Sequence, residues 1–339
     1  MNISLVVTKI IAVAMLASFI AAAAAAPPKR IFVTNERDDT VSVIDGSTNQ
    51  VIATIAIGRR PRGIGIAPDG SEVYVAISDD NAIAVFDPES FEVLRRFDSG
   101  SDPETFAVHP NGNLYISNED DAKATVYNPK TGELLAEIKV GIEPEGVAIS
   151  ADGTKVIITS ESTNMLHVIS VPEHKIIANI LVGARPRAAT FNHAGTVAYA
   201  TSEISGEVKK VDIASAKIIG KMPLADDKAK PKDILLNKDE TLLFVAGGRA
   251  NRVFVLDANT LELYKSIPVG KRVWGLALSR DGSRLYTTDG VSHQVSVIDT
   301  AAAEVIATVP VGKFPWGVAL YEWNAPARTP LADPLPAAD

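Results

Sequence analysis

The chain has 339 residues, of which 46% are hydrophobic and 22% charged, with 33 Lys and Arg against 41 Asp and Glu and no cysteine. A net charge of −8 argues against a nucleic-acid partner, because phosphate binding needs concentrated positive charge. The lack of cysteine excludes disulfides, thiolate zinc sites, iron–sulfur clusters, cysteine nucleophiles and covalently attached c-type haem.

The chain starts with one basic residue, Lys9, then the apolar run Ile10 to Ile20 and the alanine tract Ala21 to Ala26, broken by Pro27 and Pro28. This order predicts a secretory signal over residues 1–26, cleaved near Ala24–Ala26, and export to the periplasm with no stable membrane insertion afterwards. Counted from Leu5, the run reaches about twenty residues, so an uncleaved anchor is the competing reading.

From Ile31 onward the sequence repeats. Segments starting near 31, 73, 114, 156, 198, 243 and 285 (Ile31-Phe32-Val33-Thr34-Asn35, Leu114-Tyr115-Ile116-Ser117-Asn118, Leu285-Tyr286-Thr287-Thr288 and their equivalents) follow one another at intervals of 42, 41, 42, 42, 45 and 42 residues. Each leads into a run such as Val41-Ser42-Val43-Ile44-Asp45, a third such as Val51-Ile52-Ala53-Thr54-Ile55, and a short fourth such as Gly63-Ile64-Gly65-Ile66. Alternation of Val, Ile, Tyr and Thr with period two is the strand signature. Asp69-Gly70, Asn111-Gly112, Asp152-Gly153 and Asp281-Gly282 supply hairpin turns, and Asp45, Asp87, Asp212, Asp257 and Asp299 are placed to accept backbone N–H groups in the next turn. Four short strands per unit, seven times, predict an all-β, seven-bladed β-propeller of four-stranded antiparallel blades over residues 27–322.

The phase of the repeat sets the closure. The chain enters on the second strand type and leaves on the first, Trp316-Gly317-Val318-Ala319-Leu320, so the C-terminal strand should complete the N-terminal sheet. Residues 323–339 read as an Ala/Pro-rich tail. The fifth unit departs from the pattern: Ala225 to Lys230 are additional, and Asn237-Lys238-Asp239-Glu240 lacks the turn glycine.

Across residues 31–70 the units resemble the YVTN-type β-propeller repeat family, and the likeness extends over nearly all of the chain after the signal. A seven-unit exported chain is also similar to the subgroup found beside bacterial catabolic systems that depend on pyrroloquinoline quinone (PQQ). The resemblance implies a periplasmic accessory or partner protein, associated with an enzyme, cytochrome or transporter component. No catalytic motif of propeller enzymes has a counterpart here, so no catalytic residue is carried over.

Aligning the residue before each small-residue strand yields one position per blade: Arg62, Glu104, Glu145, Arg187, Lys232, Trp274 and Trp316. All but Trp274 follow a proline, which fixes the chain's approach where no ladder partner is expected. These residues are predicted to ring the mouth of the central channel. Arg62, Arg187 and Lys232 suit carboxylates or phosphates, Trp274 and Trp316 on adjacent blades suit a stacking wall, and Glu104 and Glu145 form an acidic arc. The functional reading is a site for an anionic small molecule or a docking protein; the competing one is a solvated rim in which the glutamates simply pair with neighbouring arginines. PQQ, flat and tricarboxylic, would suit such a mouth, but no cofactor is predicted.

The five histidines, His109, His167, His174, His193 and His293, fall in different parts of the repeat, so no metal site is predicted. Asp38-Asp39, Asp79-Asp80 and Glu119-Asp120-Asp121, in equivalent loops, read as turn residues rather than calcium ligands. The expected function is therefore non-catalytic binding or scaffolding; the alternative is a propeller enzyme such as a metal-dependent lactone hydrolase or a lyase.

Overall fold

The computed structural model describes residues 30–322; the expected signal and the expected tail lie outside the described residues. Within them the chain folds into seven antiparallel sheets of four strands each. Blade one joins Arg30–Asn35, Thr40–Asp45 and Gln50–Ala56 to the last strand, Pro315–Tyr321. Blades two to seven are continuous, over residues 61–98, 103–139, 144–181, 186–223, 234–268 and 273–310. Successive innermost strands contact one another around the whole circle, ending where Pro315–Tyr321 meets Pro61–Ile66. The ring closes as the repeat phase predicts. Arg30 pairs with Tyr321, Ile31 with Leu320, Phe32 with Ala319 and Val33 with Val318.

The two middle strands of each blade are buried on both sides because another blade covers each face. In blade one, Phe32, Val41 and Val43 pack against Val73, Val75 and Phe86 of blade two, while Ile31, Val33 and Ile44 pack against Tyr286, Val295 and Val297 of blade seven. The apolar alternation that marks a strand therefore marks both walls of an inter-blade core. Outer strands such as Lys175–Leu181 alternate exposed and covered residues, as an edge with one neighbour requires.

The turn chemistry is as the sequence predicts. The Asp45 carboxylate accepts the backbone N–H groups of Ser47 and Thr48, both at 2.9 Å; Asp87, Asp257 and Asp299 do the same in their blades, and Asp212 accepts that of Ser215. Blade six makes its first turn without glycine: Glu240 itself takes the left-handed conformation, at φ 57°. Its innermost strand is shortened to Ile234–Leu236.

Candidate functional site at the channel mouth

Each mouth residue sits in a β-bulge. In blade two, Pro61 pairs with Ile77 and Ile64 with Val75, so two residues, Arg62 and Gly63, oppose one on the second strand. The same irregularity recurs at Glu104, Glu145, Arg187, Trp274 and Trp316. A bulge turns a side chain away from the sheet normal; here it turns each toward the channel mouth. Lys232 is the exception, lying just before its shortened strand.

Hydroxyls lock these bulges between blades. Thr34 donates to the Arg62 carbonyl (2.7 Å), Ser117 to that of Glu145 (2.5 Å), Thr159 to that of Arg187 (3.2 Å), Thr201 to that of Lys232 (2.9 Å) and Thr288 to that of Trp316 (2.7 Å). The donors are the Thr or Ser near the end of the second strand in five of the blades; blade two has Ala76 there. Blade six has Ala246 at that place, and there the Asp233 carboxylate reaches the next blade, accepting Leu276 N–H at 2.8 Å. Close approach also demands a missing side chain: a Cβ on Gly317 would lie 2.5 Å from the Arg62 carbonyl oxygen.

The structure brings all the predicted residues together, and it pairs their charges internally. Arg62 binds Glu104 and lies 2.8 Å from Glu36. Arg187 binds Glu161 and lies 2.8 Å from Glu145, which also binds Lys232. Glu104, Glu145, Arg187 and Lys232 are all buried. Arg62, Arg187 and Lys232 are thus each paired with carboxylates of the protein itself, the pairing that the competing reading of the ring expects. Taking these charges out of water costs more than one bond returns, so the fold surrounds each with several partners.

Protonation follows from that enclosure. Burial, reinforced by the nearby Arg187 charge, pushes the Lys232 ammonium down to about 7 despite its bond to Glu145. Burial alone would raise the Glu145 carboxyl, but Arg187, Lys232 and Arg62 outweigh it and hold it below the usual carboxylate range. Asp233 is pushed up to about 6 by burial, against two stabilising backbone N–H bonds.

The indoles of Trp274 and Trp316 stack on one another as adjacent-blade neighbours. Their faces also carry cations: the Lys232 ammonium lies 5.0 and 5.1 Å from the two ring centres, Arg62 is 5.6 Å from Trp316, and Arg187 is 5.9 Å from Trp274. Behind them is a cavity of about 210 Å³ lined by Glu145, Arg187, Lys232, Asp233, Trp274 and Trp316 among others. Trp316 is 9% exposed, and its buried indole N–H has no hydrogen-bond partner among the described residues.

A second tier of mouth residues lies outside the predicted ring, although Glu119 belongs to one of the acidic loop runs weighed as calcium ligands. Glu36, Glu119, Glu161 and Glu203 follow directly on the second strand's terminal Asn or Ser, a spacing legible in four repeats. Glu36, Glu161 and Glu203 supply counter-charges to the arginines. Glu119 belongs to two acidic groups, with Asp102 and Glu104 and with Glu143 and Glu161, whose oxygens lie within 4.8 Å of one another. Burial, then the charges of Glu145 and Asp102, raise its carboxyl above the usual range.

The loop carboxylates considered for calcium act as clips instead. Asp39 accepts Arg60 N–H at 3.0 Å, Asp80 holds Arg59 by backbone and side chain, and Asp121 accepts Ser101 N–H at 3.0 Å. The histidines are less scattered than their sequence positions suggest. His109 and His174 converge on the Tyr115 ring, with centroids 5.7 and 5.8 Å away, because the turns of two neighbouring blades meet there.

A family model described as YNCE-like beta-propeller matches residues 3–128, and one described as choice-of-anchor I domain matches residues 101–289, more than half of the chain. No curated protein matches it. Among solved structures, Kuenenia stuttgartiensis hydrazine synthase is 19% identical, with a TM-score of 0.69 over 76% of this chain and 88% of that one. A Bacteroides fragilis protein provisionally described as a 6-phosphogluconolactonase is 18% identical, with a TM-score of 0.74 over 86% and 98%. The dihydro-heme d1 dehydrogenase NirN in complex with DHE is 16% identical, with a TM-score of 0.65 over 86% and 75%. At these identities the likeness is one of fold. The chain is thus a seven-bladed β-propeller with a YNCE-like segment, and it belongs to the choice-of-anchor I domain family.

Proposed function

We propose that this propeller is an exported, non-catalytic binding or scaffolding protein whose channel-mouth face holds a protein partner or an anionic small molecule. In the periplasm the partner would be an enzyme, cytochrome or transporter component, with the propeller accessory to a PQQ-dependent oxidation or transport system. The observation that carries the binding reading is the buried, unpaired indole N–H of Trp316 in the wall of a cavity rimmed by cations. An orphaned buried donor is costly unless something accepts from it. PQQ would meet indole faces already shared with Lys232, Arg62 and Arg187, so its carboxylates rather than its ring system would make the contact.

The test is capture by immobilised protein of components of its own periplasmic extract, comparing wild type with Trp274→Ala and Trp316→Phe. The second change removes the N–H while keeping a ring. Loss of a defined captured species in variants that melt near the wild-type temperature is the expected result; unchanged capture in both overturns the reading.

The enzyme alternative draws on the two acidic groups around Glu119. A divalent ion bound there would have to compete with Arg60 for Asp102 and Glu104, and with Arg185 and Arg187 for Glu161. Stoichiometric Ca²⁺ or Zn²⁺ retained through purification would favour a metal-dependent hydrolase over binding alone.

A further inference from the structure

The repeat breaks in blade six, and the break gathers positive charge. The additional residues Ala225 to Lys230 run back beside the Gly247-Gly248-Arg249 loop, where Lys230 N–H donates to the Gly247 carbonyl at 3.0 Å. A Cβ on Gly248, at φ 58°, would fall 2.0 Å from the Lys230 carbonyl oxygen, so the two segments pack backbone against backbone. That contact sets Lys230 and Arg249 beside Arg272 around a small cavity also lined by Lys232, Trp274 and Glu203.

Among the described residues, Lys230, Arg249 and Arg272 make no ion pair, whereas Arg60, Arg62, Arg185 and Arg187 each meet a carboxylate. Arg272 is half-buried, with its guanidinium 4.6 Å over the Trp274 ring. Burial and then the Arg249 charge push that guanidinium below its usual range, with Arg187 and Arg185 adding to the shift and the Glu203 carboxylate opposing it. Glu203, the acid in this wall, faces Arg185 at 3.5 Å and Arg187 at 3.7 Å. Like charges gathered this way repel, with least screening at half-buried Arg272, and a counter-anion would relieve that repulsion.

We propose that Lys230, Arg249 and Arg272 form a binding site for a multiply charged oxyanion, the phosphate or polycarboxylate group of a small molecule. The proposal rests on the anionic-ligand reading above and adds residues outside the predicted ring. Two arginine forks and one lysine point charge suit an oxyanion with several acceptor oxygens. The enclosed cavity, about 10 Å³, is no larger than a water, so the oxyanion would rest over its opening rather than inside it. Lys232 and Trp274 line both it and the 210 Å³ cavity, so the rest of such a molecule would extend toward the channel.

Calorimetry and intrinsic tryptophan fluorescence, with inorganic phosphate and citrate as probes and chloride as the control, test the site on the full chain. The expected result is saturable binding of one or both, weakened on the order of tenfold in Arg249→Ala and Lys230→Ala, the loss of one charge-assisted bond. Tighter phosphate identifies a phosphoryl ligand and tighter citrate a polycarboxylate, and either supports the site. Arg249 is exposed, so its truncation should leave the melting temperature unchanged. No saturable binding of either probe, or equal binding by both variants, overturns the proposal. The capture assay with the tryptophan variants reads the broader function separately, so the two can fail independently.

Discussion

Trp274 and Trp316 lie with ring centres 6.5 Å apart and planes 29° from parallel, although one belongs to the seventh blade and the other to the first. They meet because the last strand of the chain is the innermost strand of the first blade. The site and the closure of the ring are therefore one structural event. Without Pro315–Tyr321, blade one loses its inner strand, and Trp274 loses its stacking partner.

A chain ending at Gly312 should consequently lose cooperative unfolding. It would expose the edge of Arg30–Asn35 and remove Tyr321, a buried residue that packs edge-on against Phe32 at 6.4 Å. Circular dichroism melts check this. A truncated protein with the full-length melting temperature would mean that the terminal pairing does not hold the ring together.

Thr34→Val should cost about 1–3 kcal/mol, the penalty for stranding buried hydrogen-bonding groups. The Thr34 hydroxyl donates to the Arg62 carbonyl at 2.7 Å, across the seam between first and second blades, and accepts Gly317 N–H at 2.8 Å within blade one. Urea midpoints at constant m-value measure the change. A shift within error would show that the seam relaxes to satisfy those groups otherwise.

Asp233 should make stability depend on pH in a direction opposite to most carboxylates. Its folded-state value is raised to about 6, above the ordinary 3.8, so the folded protein binds a proton between those values that the unfolded chain has released. Stability from this group is full below pH ~4 and is lost as pH rises through ~6, on the order of 3 kcal/mol. His167, which burial pushes down, acts oppositely near neutrality, so the comparison is between wild type and Asp233→Asn across pH 7 to 5. The wild type should gain stability relative to the variant as pH falls. Parallel curves would mean that Asp233 titrates normally.

The architecture was legible because a propeller states its own period. Seven returns of the same strand pattern, with Asp45 and its equivalents at the same turn each time, leave the blade count and the closing strand little freedom. The mouth positions were legible too, since Arg62, Glu104, Glu145, Arg187, Lys232, Trp274 and Trp316 occupy one place in the repeat, and a repeat place is a point on a circle. Their electrostatic state was not. Whether Arg62 is free or bound depends on Glu36 and Glu104, which other blades supply, and whether Lys232 is hydrated depends on how closely Trp274 and Trp316 approach it. Arg272 shares the repeat place of Arg60 and Arg185, but Lys230 and Arg249 lie outside the linear pattern, and an insertion that folds back on a glycine loop brings them to it. Periodicity encodes which residues share a place in the ring, but charge pairing and desolvation are properties of distance in space, and only the closed ring sets those distances.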